Sequence, residues 1–242
     1  MKFQTKISRE VDGELQLRGK SLNSFIQHSD YVSTLYFALT GKEISAPQLR
    51  ILNAILVASI DHGVAPASSF VPRVVISNGN EVTHALASGI LALGPYHGAA
   101  IEDAMRVFQK FSGKSTEEIE TFVKEQRAAK KRILGFGHKI YTTEDPRTKT
   151  LFELAKNEGV DGPAMKTARA IESALEKTMG RKLVLNIDGA VAALLLEIDL
   201  PPEAGNGIFA LARMGGMLAH IIEEKQQGTV VRRLDESDIE YL

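Results

Sequence analysis

The pattern of apolar and polar positions predicts a chain that is helical almost throughout. Only residues 3–17 alternate in the manner of a β-strand, and Gly13 within them indicates a turn between two strands. Beyond Ser21 the apolar residues recur at helical spacing and are interrupted by recognisable helix stops. We therefore predict an all-α fold with one short N-terminal β-hairpin.

Capping signals mark where individual helices begin and end. Four predicted N-caps place a Ser, Asn or Asp ahead of an apolar run, and two of them have the spacing of a capping box. They are Ser45 with Gln48, Asn80, Ser115 with Glu118, and Asp145 ahead of Pro146. Their helices are expected to end near residues 61–63, 94, 132 and 159, in that order. Longer helices are expected over residues 163–179 and 203–225, and residues 230–233 are expected to be extended.

The composition excludes several classes of chemistry and leaves a globular protein. Hydrophobic residues make up 44% of the 242 positions, which is enough for a substantial core. With 29 basic and 30 acidic residues, the surface as a whole attracts neither nucleic acid nor an anionic membrane. The absence of cysteine excludes disulfides, thiolate catalysis and cysteine-based metal sites. No apolar stretch is long enough for a membrane span or a signal peptide, so we expect a cytoplasmic protein.

Three polar segments flanked by glycine are the candidates for chemistry. They are residues 94–98 with His97, residues 135–139 with His138, and residues 186–189 with Asp188. Tight loops of small residues let a substrate approach the backbone closely, and two histidines with one carboxylate form an acid/base set. Each segment alone is more often an ordinary turn, whereas the three together favour a catalytic site. Residues 135–137 do not make a dinucleotide-binding motif, because the third glycine and the βαβ pattern are both missing.

Two arginines stand where a positive charge needs an explanation. Arg147 lies at a predicted helix start soon after His138, so it is either a solvated residue or a clamp for a carboxylate. Arg213 interrupts a strongly apolar helix, where a charge is costly unless an acid or an anionic ligand pairs with it. We interpret Arg213 as a ligand-binding or ion-pair residue.

The remaining histidines and the main basic run are interpreted as structural. His28, His84 and His220 lie at ordinary helical positions and lack the clustered spacing of metal ligands. The run at residues 130–132 is expected at a helix C-terminus, where positive charge complements the helix dipole. We therefore expect neither a metal site nor a nucleic-acid site.

The three glycine-flanked segments, taken in order, resemble a known family. GPYHG, GFGHKIYTTEDPR and LNIDG have the order and spacing of the three catalytic segments of the citrate synthase family. The resemblance extends to Asp61-His62-Gly63 upstream and to IFALARMGGMLAHIIEE and VVRR downstream. The chain is short for a citrate synthase. Its DHG and LNIDG segments are more similar to citryl-CoA lyase, either stand-alone or as a region of ATP-citrate lyase.

The resemblance implies a role for each matching residue. His97 would be the electrophile at the thioester carbonyl, Asp188 the acid/base at the acetyl α-carbon, and His138 the group that serves the citryl hydroxyl. Four residues would bind the substrate carboxylates, the last of them acting in the partner subunit: His62, Arg147, Arg213 and Arg232. Coenzyme A would contact the backbone and basic side chains of a further set: Gly135, Phe136, Gly137, Lys139, Arg181 and Lys182. In one departure from the family pattern, Thr142 stands where synthases often have an arginine.

The resemblance also implies an architecture and a reaction. Residues 1–98 and 200–242 would form a large helical, dimer-forming domain, and residues 99–199 an inserted small domain for CoA binding and catalysis. The expected protein is a homodimer or a dimer of dimers that cleaves citryl-CoA to acetyl-CoA and oxaloacetate. It would need no bound cofactor or metal, and a separate citryl-CoA synthetase would be its functional partner. Two alternatives stay open: a citrate or 2-methylcitrate synthase, and a catalytically silent family member.

Overall fold

The computed structural model describes residues 2–242, which form eleven α-helices and a small three-stranded sheet. The strands are β1 (Ser8–Val11), β2 (Glu14–Leu17) and β3 (Lys20–Ser21). The helices are α1 (Leu22–His28), α2 (Tyr31–Thr40), α3 (Ala46–Ser59), α4 (Ala67–Ser77), α5 (Val82–Leu91), α6 (Ile101–Phe111), α7 (Thr116–Ala128), α8 (Pro146–Asn157), α9 (Pro163–Met179), α10 (Ile187–Glu197) and α11 (Gly205–Gln227). In this described part of the chain, no helix combines the length and apolarity that crossing a membrane requires. The mainly helical architecture confirms the predicted fold class.

The N-terminal hairpin forms around a two-residue turn. β1 and β2 pair antiparallel with Val11 opposite Glu14, so the loop is Asp12-Gly13, whose φ angles are 53° and 78°. Positive φ at both positions matches the twist of a tight hairpin, and glycine adopts it without strain. The predicted hairpin is therefore confirmed, although it starts at Ser8 and gains β3 as a third strand.

Three of the four predicted N-caps are confirmed. Ser45 and Ser115 form complete capping boxes with Gln48 and Glu118. Asp145 caps α8 by accepting a backbone N–H of its first turn. Each side chain satisfies an N–H group that the first helical turn leaves without an intrahelical partner.

The fourth predicted N-cap, Asn80, is wrong. α5 has Glu81 as its N-cap, and the side-chain amide of Asn80 instead donates to the Val75 carbonyl at 3.0 Å. Val75 lies in the last turn of α4, where carbonyl groups lack helical partners, so Asn80 closes the preceding helix. α5 and α7 also end a few residues before the expected stops, at Leu91 and Ala128.

The two long helices match their predictions closely, whereas the tail does not. α9 spans the predicted residues and ends at Gly180, which takes a left-handed φ of 64°. α11 lies two residues later than expected at both ends, because Pro202–Ala204 forms a separate 3₁₀ turn ahead of it. The predicted extension of residues 230–233 is wrong at Val231, whose φ of 54° is left-handed. The Val231 N–H donates to the Ser77 carbonyl, which turns the tail onto the end of α4.

The hydrophobic core surrounds α10. Residues 190–195 are all buried, and α6, α8 and α9 pack on this helix. A helix that is apolar on every side is stable only in the interior. A second, small cluster of Ile76, Ala85 and Ile221 joins α4, α5 and α11. The core thereby fixes the first turn of α10, where one of the candidate residues lies.

Candidate active site

His97 lies in a tight turn between α5 and α6. The backbones of Gly94 and His97 exchange two hydrogen bonds of 2.8 Å, and Gly98 follows with a φ of 79°. His97 Nε2 lies 2.9 Å from the Oγ of Ser68, a buried residue of α4. Burial, and then the charge of Arg213, lower the pKa of His97. The imidazole is therefore neutral at neutral pH, and its contact with Ser68 orients the ring.

The loop that follows His138 fixes its tautomer. The backbone N–H groups of Ile140 and Tyr141 both donate to Nδ1, each at 3.1 Å. The ring also stacks on Tyr141, with 4.5 Å between the ring centroids. A ring nitrogen that accepts hydrogen bonds carries no proton, so the proton of the neutral ring is on Nε2. His138 therefore presents a donor at its other nitrogen.

Asp188 lies in the first turn of α10, so the prediction of a tight loop at residues 186–189 is wrong. Asn186 is the N-cap, and its side chain accepts from the Gly189 N–H at 3.1 Å. A Cβ at Gly189 would lie 2.4 Å from the carbonyl oxygen of Gly135. Gly189 is therefore needed for the close approach of α10 to this neighbouring segment, not for a turn.

Opposing effects set the ionisation of Asp188. Burial raises its pKa, whereas the charges of Arg147 and Arg213 lower it. The nearby Asp145 works in the same direction as burial, and the net result is a raised pKa. Asp188 therefore keeps its proton to a higher pH than an ordinary aspartate does.

A short backbone pairing holds His138 and Asp188 near each other. Residues 135–137 and 184–186 are joined by two backbone hydrogen bonds of 2.7 Å and 3.0 Å and by a 2.9 Å bond from the Asn186 side chain. Asn186 thus serves both this pairing and the cap of α10. His138 follows the first segment directly, and Asp188 lies two residues beyond the end of the second. The backbone contacts therefore hold the two residues near each other.

Arg147 is held by a buried acid. Its Nε and Nη2 donate to the two oxygens of Asp145 at 3.2 Å and 2.9 Å. Asp145 is fully buried; burial works to raise its pKa, but hydrogen bonds from Arg147 bring the pKa below its ordinary value. Arg147 is therefore an ion-paired residue, with 29% of its side chain exposed. It is held in one orientation, and its charge lowers the pKa of both His62 and Asp188.

Arg213 is buried with part of its guanidinium unmatched. Its Nε donates to the Ser59 carbonyl at 2.8 Å, and the group lies 4.8 Å from the ring centroid of Phe209. Within residues 2–242 its buried Nη1 has no hydrogen-bond partner. Burial lowers the pKa of Arg213, whereas Asp61 and Asp188 act to raise it. Because an incompletely paired buried charge is costly, this guanidinium is suited to an anionic ligand.

His62 lies between α3 and α4, within the field of the same cations. Partial burial lowers its pKa, and the charges of Arg213 and Arg147 lower it further. His97 acts in the same direction. These mutual effects place the four groups in one neighbourhood, and the two arginines also lower the pKa of Asp188.

Arg232 pairs with an acid of α11 within the chain. Its Nε donates to Glu224 at 2.6 Å, and its backbone N–H donates to the Ser77 Oγ at 3.0 Å. Glu224 is buried and also accepts from Arg73 at 2.6 Å. The predicted action of Arg232 in a partner subunit stays a prediction.

The residues predicted to bind CoA fall into two groups. Gly135, Phe136 and Gly137 lie in the backbone pairing, where the Gly137 N–H already donates to the Val184 carbonyl. The basic side chains are exposed: Lys139, Arg181 and Lys182. Their binding of CoA stays a prediction. Across residues 2–242, no group of three or more His, Cys, Asp or Glu side chains could hold a metal ion.

Three contacts of the candidate residues involve side chains that the sequence does not mark for this role. They are Ser68 at His97, Asp145 at Arg147, and His220 at Asp61. Asp145 is recognisable from sequence only as an N-cap, and nothing in the sequence distinguishes Ser68. His220 carries one overlooked signal: it follows Arg213 by seven residues, which places both on the same face of a helix.

The family of the chain follows from a comparison with family models. Residues 4–234 match the model described as the C-terminal domain of citrate synthase, so the chain belongs to the citrate synthase family. Citrate synthase 2 of Bacillus subtilis is 28% identical over 236 residues, a match that covers 96% of this chain and 62% of that protein. The chain spans between about half and three-fifths of the length of the first curated relatives it matches.

Solved structures match over nearly the whole chain. Citryl-CoA lyase from Hydrogenobacter thermophilus is similar with a TM-score of 0.93 and 37% identity, covering 99% of this chain and 94% of that one. ATP citrate lyase of Methanosaeta concilii, solved in complex with (3S)-citryl-CoA, has a TM-score of 0.86 and 26% identity. That match covers 100% of this chain and 42% of the longer one. The resemblance drawn from the three sequence segments is confirmed.

Proposed function

We propose that this chain is a citryl-CoA lyase, which cleaves citryl-CoA to acetyl-CoA and oxaloacetate. The observation that carries the proposal is the structural similarity to the Hydrogenobacter thermophilus lyase, which covers 99% of this chain and 94% of that one. Membership of the citrate synthase family supports the broader class, enzymes of citrate and citryl-CoA chemistry.

The two arginines bind the carboxylates of the substrate. Arg213 offers a buried Nη1 that has no partner in the described chain, and Arg147 offers a guanidinium that Asp145 holds in one orientation. Charge-assisted hydrogen bonds to carboxylates are the strongest that such groups form. The neutral His62 adds a donor that costs little to desolvate.

His97 stabilises the charge that develops on the thioester oxygen. When the Ser68 hydroxyl donates to Nε2, the ring proton is on Nδ1, and Nδ1–H donates to that oxygen. The lowered pKa of His97 keeps the ring a neutral donor that is already in place before the reaction. A single preorganised donor of this kind typically contributes about 3–4 kcal/mol to the lowering of a barrier.

Cleavage breaks the bond between the hydroxyl-bearing carbon and the methylene carbon of the acetyl thioester. The bonding pair moves to the methylene carbon and is delocalised onto the thioester oxygen, while the hydroxyl oxygen becomes the keto oxygen of oxaloacetate. Asp188, whose pKa is raised by burial, donates its proton to the methylene carbon and completes acetyl-CoA. The hydroxyl proton passes to Nε2 of His138 in the tautomer that carries its ring proton on Nδ1, with both backbone bonds to Nδ1 opened, and from there it restores the Asp188 acid.

An assay with citryl-CoA and no ATP tests the proposal. The purified chain is expected to release oxaloacetate and acetyl-CoA in equal amounts, with no free CoA thiol. Reduction of oxaloacetate by NADH and malate dehydrogenase measures the first product, and a thiol reagent measures any CoA. Free citrate and CoA thiol in place of oxaloacetate would contradict the lyase proposal.

The curated relative named citrate synthase 2 supports a second candidate, a citrate synthase. Its carbon–carbon step is the reverse of the cleavage above and passes through the same transition state, so the tautomer of His138 favours neither direction. With acetyl-CoA and oxaloacetate, a synthase releases CoA thiol and citrate, whereas a lyase does not hydrolyse the thioester.

The proposal also includes a second subunit and the contacts to CoA. Lys139, Arg181 and Lys182 are exposed cations that adjoin the backbone pairing beside Asp188, where they are suited to the phosphates of CoA. Large apolar side chains exposed on α4, α5 and α11 support a homodimer. A separate synthetase would supply the citryl-CoA, because none of the steps above uses ATP.

A further inference from the structure

α11 holds the end of α3 through three successive contacts. Each joins one residue of α11 to one residue at the end of α3. The pairs are Arg213 Nε with the Ser59 carbonyl at 2.8 Å, the Gly216 N–H with the Ile60 carbonyl at 3.1 Å, and His220 Nε2 with Asp61 Oδ1 at 3.0 Å. Positions i, i+3 and i+7 share one helix face, so the three contacts act as a set. The next residue along the chain is His62. The three contacts therefore fix the backbone position from which the His62 side chain extends.

Asp61 closes the turn that presents His62. Its Oδ2 accepts from the Gly63 N–H at 3.0 Å, while its Oδ1 faces His220. Gly63 has a left-handed φ of 80°, which a tight turn of this kind requires and glycine adopts without strain. The Asp61 carboxylate thus stabilises this turn and also joins it to α11.

The same carboxylate places a negative charge beside cations that are proposed to bind an anion. Asp61 is close enough to Arg213 to raise its pKa. Burial works to raise the pKa of Asp61, but hydrogen bonds from the backbone N–H groups of Gly63 and His62 and from His220 bring it below the ordinary value. Asp61 is therefore ionised at neutral pH and can only accept, so His220 Nε2 donates to it. This bond offsets part of the charge that would repel the substrate.

We infer that His220 is a positioning residue for the carboxylate end of the substrate. It acts through Asp61, by fixing the turn that presents His62 and by offsetting the Asp61 charge, and it does not itself touch the substrate. This inference deepens the proposed function and rests on it. Loss of His220 should therefore weaken the binding of oxaloacetate and spare that of CoA, which is assigned to other residues.

Titration calorimetry on the full chain, with oxaloacetate and separately with CoA, tests the inference. His220→Leu is expected to weaken oxaloacetate binding about tenfold, the low end for a hydrogen bond to a charged group, with CoA affinity within about twofold of wild type. His220→Gln, whose side-chain amide can donate to Asp61, should recover most of the affinity. In an Asp61→Asn background the same His220→Leu change should cost less than about twofold, because the two side chains act through one contact.

A histidine far along the chain from His220 supplies the matched control. His84→Leu removes an exposed histidine of α5 and should change neither affinity. Equal losses for oxaloacetate and CoA, or an undiminished His220→Leu effect in the Asp61→Asn background, would overturn the inference in favour of general destabilisation. If wild type binds oxaloacetate and His220→Leu binds it equally well, this inference alone is overturned. A wild-type chain that binds neither ligand would overturn the proposed function along with it.

Discussion

At the scale of single residues, the candidate site combines unmatched positive charge with one carboxyl group that keeps its proton. Asp145 largely neutralises Arg147, whereas the charge of Arg213 is only partly compensated. Both cations pull the pKa of Asp188 down, yet burial keeps it raised. An anionic substrate would cancel part of that positive field, so its binding should raise the pKa of Asp188 further and keep the carboxyl group protonated until the transfer.

Asp188→Asn is expected to lower turnover by at least about 10²-fold while stabilising the fold at alkaline pH. The folded-state pKa of Asp188 is raised above the unfolded value of about 3.9, so ionisation destabilises the fold as pH rises through the folded pKa. Asparagine never ionises. The variant should therefore melt at a higher temperature than wild type at pH 8 and at the same temperature below about pH 4. A melting temperature at pH 8 equal to or below that of wild type would contradict the raised pKa.

Gly189→Ala is expected to destabilise the chain by about 1–3 kcal/mol, the usual cost of overpacking. The added Cβ would lie 2.4 Å from the Gly135 carbonyl oxygen, so α10 would shift and carry Asp188 with it. Gly207→Ala is the matched control. Gly207 lies in a different helix, α11, and a Cβ added there would meet nothing within 4 Å. It should stabilise by about 0.5–1 kcal/mol through helix propensity. Urea unfolding measures both variants, and a similar effect of the two would argue against close packing at Gly189.

The residues that sequence could identify are those marked by local pattern, and the ones it missed act across the fold. His97, His138 and Asp188 stand out because glycine flanks them and because their order resembles a family. Ser68 lies 29 residues from His97, and His220 lies 159 residues from Asp61. No local pattern encodes such contacts, since they depend on how α4 and α11 pack against the turns.

At the scale of helices, sequence succeeded where the signal is local to the helix end. The capping box at Ser45 and the left-handed Gly180 each satisfy backbone groups within a few residues, so both predictions hold. The N-cap prediction at Asn80 failed because its side-chain amide donates a hydrogen bond to the preceding helix, α4. The start of α10 was missed for two reasons: its interior is apolar on every side and shows no helical period, and Gly189 in its first turn is typical of a loop.

Asp145→Asn should keep the cap of α8 yet destabilise the chain by about 3 kcal/mol, because it leaves Arg147 without its buried partner. The ion pair holds the folded pKa of Asp145 below the unfolded value of about 3.9. Its contribution is therefore complete above about pH 4 and is lost as pH falls through the folded pKa. Urea unfolding should show the full difference from wild type at pH 7 and a shrinking one below pH 4.

The uncharged cap of α3 supplies the control for that experiment. Ser45→Ala removes a capping box whose partner, Gln48, does not titrate. The substitution should lower the free energy of unfolding by about 1 kcal/mol, and by the same amount at pH 7 and pH 3. If Asp145→Asn showed the same pH-independent loss, the cap and not the ion pair would account for its effect.

At the scale of the whole molecule, one core runs through the segments that the sequence assigns to two domains. Ile51 of α3, Leu194 of α10 and Ile208 of α11 all belong to the same buried cluster. The division at residues 99–199 therefore stays a prediction. The second cluster is small, and large apolar side chains on the helices around it are exposed: Phe70, Ile90, Leu91, Leu218 and Ile222. A second copy of the chain would cover such a face, and Arg232 is held on the same helices by Glu224.

Mixing two inactive variants tests whether Arg232 completes the site of a partner subunit. Arg232→Ala lacks the arginine that it would lend, and His97→Ala lacks the electrophile of its own site. After both are unfolded, mixed equally and refolded, half of the dimers carry one of each chain, and one site in each of these is complete. Activity should return to about a quarter of the wild-type value. His97→Ala mixed with Asp188→Asn is the control and should stay inactive, because both residues belong to the same chain's site. An inactive Arg232→Ala mixture would show that Arg232 serves its own chain, where Glu224 holds it.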